Sequence, residues 1–121
     1  MNELESKIQR RCQKILSDNG AFVFKTHGDM YMKKGIPDLV CCIPTDIGTL
    51  YKLQEDGWFQ NNNTKIGVFV GFEIKRKNLL GDVSDAQRIV GKQIENAGGI
   101  WYAVDDSDIV EAVVETLKGR L

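Results

Sequence analysis

Gly35-Ile36-Pro37-Asp38-Leu39-Val40 and, further along, Phe69-Val70-Gly71-Phe72-Glu73-Ile74-Lys75 are the stretches that decide how this chain is read. The second has the composition of a strand. Strand side chains alternate between faces, so Glu73 and Lys75 emerge together while Phe72 and Ile74 turn the other way. Asp38 opens another short apolar run, Leu39-Val40-Cys41-Cys42-Ile43. Pro37 before it has no N–H for a strand ladder and so belongs at a strand's first residue or edge. If the two runs pair, two carboxylates and one ammonium meet on one surface.

That residue set suits phosphodiester hydrolysis. The reaction puts a water in line with a leaving oxygen while negative charge grows around phosphorus, and Mg²⁺ or Mn²⁺ on hard oxygen ligands neutralises that charge and acidifies a bound water. Asp38 and Glu73 are suitable ligands, and the backbone carbonyl of Ile74 is a third. Lys75 beside the ion is placed to orient or deprotonate the attacking water and to stabilise the anionic transition state. Each motif alone has a plainer reading: Pro37-Asp38 as a turn before a strand, Glu73 and Lys75 as an ion pair on a solvated face. Their combination, in order, favours the chemistry.

With these residues in view, the chain resembles the PD-(D/E)xK nuclease superfamily and, within it, the virus-type replication-repair nuclease (VRR-NUC) domain. That family carries an N-terminal helix with a Glu, a G-x-P-D-L segment, an E-x-K strand and an S-x-x-Q helix. Here the same order is Glu5 in Leu4-Glu5-Ser6-Lys7-Ile8-Gln9, then Gly35-Ile36-Pro37-Asp38-Leu39, then Phe72-Glu73-Ile74-Lys75, then Ser84-Asp85-Ala86-Gln87. The resemblance implies a Mg²⁺- or Mn²⁺-dependent DNA nuclease with Asp38, Glu73 and Lys75 as its catalytic core. Glu5 and Gln87 are implied as supporting residues, Glu5 also as a further candidate metal ligand. One departure is the long segment from Pro44 to Ile66, where the family core needs only a short connection.

The composition is consistent with this reading but does not produce it. A chain of 121 residues makes one domain with a single hydrophobic core. Its formal net charge of −1 means that nucleic acid must be held by a local basic patch, with acids gathered elsewhere, for instance in Asp105-Asp106-Ser107-Asp108. Three cysteines form no even disulfide framework and no Cys-x-x-Cys zinc spacing, and are expected as buried thiols in a reducing compartment. The charged N-terminus is unlike a signal peptide and no apolar stretch approaches a membrane span, so a cytoplasmic location, in a bacterium or a phage-infected cell, is expected.

Residues 3 to 18 have helical apolar spacing at Leu4, Ile8, Cys12, Ile15 and Leu16, with Asn19-Gly20 as the stop. Projection at about 100° per residue puts Glu5 inside the apolar arc and gathers Lys7, Arg10, Arg11 and Lys14 on the far side. Strands are expected at 21–26, 39–43, 68–75 and 100–104. Between the second and third, Glu55-Asp56-Gly57 is a turn signal for an inserted hairpin carrying Tyr51, Leu53, Trp58 and Phe59. Those aromatics fit a mini-core, a dimer contact or a base-stacking wedge. Ser84 and Gln87 form a capping box for a helix closed by Gly98, and a last helix is expected to be capped near Ser107. Gln87 thus has a structural role whether or not it serves the site.

The expected fold is restriction-endonuclease-like α/β, a central mixed sheet flanked by helices in the order α-β-β-β-α-β-α with an inserted hairpin. The expected activity is that of a metal-dependent DNA endonuclease selective for branched DNA such as four-way junctions. Alternatives are a restriction-like or exonucleolytic relative, or a DNA-binding module without chemistry on the same fold. Lys33, Lys34, Arg76, Lys77 and His27 flank the proposed site and are the candidate DNA contacts. A homodimer is expected, because one small domain with one site cuts two strands only as a pair.

Overall fold

The computed structural model describes residues 3–27, 33–46 and 65–119. Helix α1 (Glu3–Asp18) is followed by strands β1 (Phe22–Lys25), β2 (Leu39–Asp46) and β3 (Lys65–Ile74), a 3₁₀ turn (Leu80–Asp82), helix α2 (Asp85–Asn96), strand β4 (Ile100–Val104) and helix α3 (Asp108–Leu117). The four strands form one sheet in the order β1-β2-β3-β4. β1, β2 and β3 run antiparallel in turn, whereas β3 and β4 are parallel. The crossover between those parallel strands is α2, the element such a pairing requires. This is the mixed, helix-flanked α/β sheet expected from the sequence order.

α1 ends where its sequence says it must. Asn19 folds its side-chain amide back onto the Ile15 carbonyl at 2.8 Å, and Gly20 takes φ +83°, a left-handed value suited to glycine. The apolar stripe Ile8, Cys12 and Leu16 then packs on one face of the sheet beside Val110, Val113 and Val114 of α3. Leu39, Cys41 and Ile43 of β2 and Val70, Phe72 and Ile74 of β3 complete that core, alternate residues all turned the same way. Each such buried side chain contributes about 1.5–3 kcal/mol. The intervening residues of β3, Phe69, Gly71 and Glu73, face α2 instead. Gly71 allows a close approach there, since a Cβ at this position would stand 2.7 Å from Pro37 Cγ.

Several expectations need correction. α3 has Ser107 at its N-cap position as expected, but Ser107 is buried and makes no side-chain cap bond; Asp106 Oδ1 accepts the Asp108 N–H at 2.8 Å instead. The segment from Pro44 to Ile66 begins and ends as paired strand, with Pro44 opposite Gly67 and Asp46 opposite Lys65. Pro44 is tolerated because it lies beyond the residues that β1 pairs with, where no described strand pairs with that edge of β2. The expected hairpin around Asp56-Gly57, with Tyr51, Leu53, Trp58 and Phe59, lies outside the described residues. Cys42 is exposed rather than buried, because neighbouring strand residues point to opposite faces. Cys12 and Cys41 are buried as expected, and burial pushes their thiols up to about 11 and about 12. No helix among the described residues is long and apolar enough to cross a membrane.

Gly35 joins the two halves of the site. Its φ is +87°, and a Cβ there would lie 2.2 Å from the Ala86 carbonyl oxygen, a backbone atom of α2 that cannot step aside. Gly35→Ala is therefore expected to cost roughly 2–4 kcal/mol through backbone strain and overlap together. Urea unfolding measures it, and a loss below about 1 kcal/mol would show that the turn is not held against α2.

Candidate active site

The register of β2 and β3 ends at a chemically interesting place. Leu39 pairs with Phe72, so continuing the ladder by two residues would set Pro37 opposite Ile74. Opposed residues of that kind exchange both backbone bonds. Pro37 has no N–H to give the Ile74 carbonyl, and its own carbonyl accepts the Thr26 hydroxyl at 2.7 Å. The Ile74 N–H goes instead to the Asp38 carboxylate, Oδ2 at 2.8 Å. Thr26 also donates its N–H to the Asp38 carbonyl at 2.9 Å, fixing the backbone from which that side chain leaves.

Glu73 is only 3% exposed, so it is no member of a solvated ion pair. Its Oε1 accepts a hydrogen bond from Gln87 Nε2 at 2.8 Å. The same Gln87 accepts the Ser84 N–H on its Oε1 at 2.8 Å while its own N–H meets Ser84 Oγ at 3.2 Å, the complete capping box. The helix start and the acid are thus joined through one amide. Glu73 Oε2 is buried without a donor. The Asp38 carboxyl is its neighbour, and two carboxyls bond each other only if one keeps a proton.

Burial first, then the bond and the charge of Asp38, raise the Glu73 pKa to about 9, partly offset by the Lys75 ammonium and reinforced by Glu5. Lys75 follows the end of β3, half-buried, its N–H held by the Val104 carbonyl at 2.8 Å. Glu5 on α1 is half-buried and near enough for its charge to be felt at Glu73. Among the described residues, no three His, Cys, Asp or Glu side chains converge closely enough to hold a metal ion. The pair Asp38 and Glu73 with the Ile74 carbonyl is what the structure brings together, and Glu5 stands further off. This donor set fits a hard divalent cation: two clustered carboxyls, one with a buried oxygen lacking any partner, at a ladder position where the carbonyl has no N–H opposite.

The basic candidates divide. Lys34 and Arg76 are exposed, as is His27 after β1. Lys33 donates to Gln93 Oε1 on α2 at 3.0 Å. Lys77 pairs with Asp106 at 2.9 Å in an exposed bridge of the kind that holds weakly. On α1, Lys7, Arg10, Arg11 and Lys14 are exposed as projected, with Lys14 tied to Asp18 at 2.8 Å. Sequence reasoning missed Thr26 and Asp105. The latter accepts the N–H of Asn78, at φ 67°, and so shapes the turn that follows Lys75-Arg76-Lys77. Neither residue sits in a recognisable spacing, because each acts across strands. Gln9, buried at 4% exposure one turn after Glu5 with no donor on its Oε1, was missed as well.

The fold is similar to that of a solved structure described as a VRR_NUC domain, with a TM-score of 0.61 over 94% of this chain and 97% of that one, at 16% identity. No family model matches the sequence, and no curated protein matches it. At that identity the likeness is one of fold.

A raised carboxyl pKa has a stability consequence of definite sign. Below the ordinary value of 4.5 Glu73 is protonated folded and unfolded alike, and between 4.5 and about 9 only the unfolded chain releases the proton. Stability is therefore lost as pH rises through that window. In chelator, the unfolding free energy relative to Glu73→Gln is expected to fall from pH 5 to pH 9. Parallel pH profiles for the two proteins would show that Glu73 is ionised in the folded, metal-free chain.

Proposed function

We propose that this chain is a divalent-metal-dependent deoxyribonuclease of the VRR-NUC type, acting on branched DNA as a homodimer. The observation that carries this reading is the meeting of Asp38 and Glu73 at the end of the β2–β3 ladder, with one Glu73 oxygen buried and unpartnered. A surface that only binds DNA gains nothing from clustered carboxylates, which repel phosphate unless a cation lies between them. Asp38, Glu73 and the Ile74 carbonyl would hold Mg²⁺ or Mn²⁺, which when bound supplies charge neutralisation at the phosphate and a more acidic water.

The chain's own residues have distinct duties in this reading. Asp38 is oriented by the Ile74 N–H, so its free oxygen is aimed rather than mobile. Glu73 is held by Gln87, whose amide donates and therefore favours the ionised carboxylate. Lys75 orients the attacking water by donating to its oxygen and offsets charge on the phosphorus oxygens. Glu5 tunes the pair from α1. Lys33, Lys34, Arg76, Lys77 and His27 contact phosphates on either side. Two such domains about a two-fold axis would match the symmetry of a four-way junction and introduce paired nicks. The dimer contacts expected from Leu53, Trp58 and Phe59 fall outside the described residues.

Asp38→Asn and Glu73→Gln each keep an acceptor for the bond now made, to the Ile74 N–H and to Gln87, so both should fold normally and lose cleavage. Either variant cutting DNA at the native rate would refute the site. Lys75→Ala should lower kcat by about 10²-fold or more. The assay is cleavage of single-stranded, duplex, flap and four-way-junction DNA in Mg²⁺, Mn²⁺ or chelator.

Alanine at Lys34 or Arg76 should weaken binding to all sequences and flatten its salt dependence, since a side chain that no longer meets phosphate no longer displaces counterions from the DNA. Lys33→Ala and Lys77→Ala should do so less, their ammonium groups being engaged by Gln93 and Asp106. Binding in Ca²⁺ over a salt series tests this, and unchanged slopes throughout would move the DNA path to the basic face of α1.

A further inference from the structure

Among the described residues, α2 packs chiefly on β3 and β4, and no described helix lies over the β1–β2 half of the same sheet face. The register lays out what stands there. Phe22, Cys42 and Phe69 form one cross-strand row, and Phe24, Val40 and Gly71 the next. Residues directly opposed across strands share a face. Glu73, two residues beyond Gly71, is therefore on this face too. Strand spacing and rise put the Phe24 backbone roughly 12 Å from that of Glu73. The rings are open to solvent: Phe22 is 70% exposed, Phe24 46% and Phe69 47%. Those of Phe22 and Phe24 lie 6.0 Å apart, tilted by 54°.

A single exposed phenylalanine needs no explanation, but a cluster rimmed by charge beside a reactive site does. At the rim stands Lys33, bonded to Gln93, and Gln93 lines one apolar hollow with Phe69 and Ile94. Chemistry selects the occupant. A second copy of the chain would need about 800 Å² per partner, whereas the three rings expose roughly 300 Å² and the rim carries the Lys33 ammonium. A nucleic-acid strand answers both features, offering a π-face to each ring and a phosphate to the Lys33 ammonium.

We propose that Phe22, Phe24 and Phe69 form a stacking surface for unpaired bases of the strand whose phosphate lies at Asp38 and Glu73, with Lys33 meeting the intervening backbone. The inference rests on the nuclease reading and deepens it. Paired bases are already stacked in their duplex and have no face to offer, so these rings select DNA with an unpaired stretch next to the scissile bond. That is a physical basis for preferring branches, flaps or single strands over plain duplex.

The test is the affinity ratio between a labelled single-stranded oligonucleotide and a duplex of equal length, measured by anisotropy in Ca²⁺. The double variant Phe22→Ala, Phe24→Ala removes rings outside the core and should raise the single-strand Kd about tenfold or more, with much less effect on duplex. Phe22→Trp with Phe24→Trp should restore the preference. A second measurement needs no variant: Cys42, between the rings and the exposed one of three cysteines, should react with a maleimide more slowly when single-stranded DNA is bound. Equal losses on both DNAs, or alkylation indifferent to single-stranded DNA, would overturn the stacking surface and leave the nuclease reading standing. A dimer that falls to monomer in the double variant would assign the rings to a second copy and overturn it likewise. Failure of the unsubstituted chain to bind any DNA would overturn both.

Discussion

The hydrogen bond from the Ile74 N–H to the Asp38 carboxylate is the constraint on which the rest of the site depends. Beyond Leu39 and Phe72 the two strands stop exchanging backbone bonds, and a side chain replaces the missing backbone acceptor. A proline without an N–H, a carboxylate in place of a carbonyl and a threonine that holds the Pro37 and Asp38 carbonyls make the end of a ladder into a place where a polar group faces inward without a partner. Buried polar groups are ordinarily paired. Here the fold leaves one oxygen of Glu73 over, at the spot where a cation would complete it.

That arrangement costs stability locally and is held up by what surrounds it. Val70, Phe72 and Ile74 anchor β3 in the core from the opposite face, so Glu73 is fixed by neighbours that have no part in the chemistry. On its own face, Gly71 lets Pro37 settle against the strand, and Gly35 lets the preceding turn press on the first turn of α2. Small residues thus bring three elements within reach of one another. The acids are oriented without any ligand, so in the proposed reaction little reorganisation would remain to be done.

The parts legible in the sequence were those set by local rules. The α1 bounds followed from apolar spacing and the Asn19-Gly20 stop, α2 from its capping box, and the alternation of Glu73 against Phe72 and Ile74 from the strand period, although the strand ends at Ile74, one residue before Lys75. What stayed hidden was set across strands. Nothing near Thr26 announces that it binds the Pro37 and Asp38 carbonyls, and nothing in Phe22-Val23-Phe24 tells which face α2 leaves open. The α3 cap position near Ser107 was legible, but not that the neighbouring Asp106, an equally good capping type, supplies the side-chain acceptor there. Cys41 is buried and Cys42 exposed because neighbouring strand residues point to opposite faces.

The capping box at Ser84 carries a further consequence for which sequences this fold admits. As a helix cap, glutamate and glutamine at the third position serve equally, because both offer an oxygen to the N–H that precedes the helix. Gln87 spends that oxygen on Ser84 and turns its NH₂ group to Glu73. A glutamate would satisfy the helix as well, yet it would exchange the donor for a third negative charge against two clustered acids. Helix propensity is indifferent between the two residues, and the site breaks the tie. A substitution matrix that scores Gln and Glu as near synonyms would pass over the one atom, Nε2, that ties the helix cap to the buried Glu73 carboxyl.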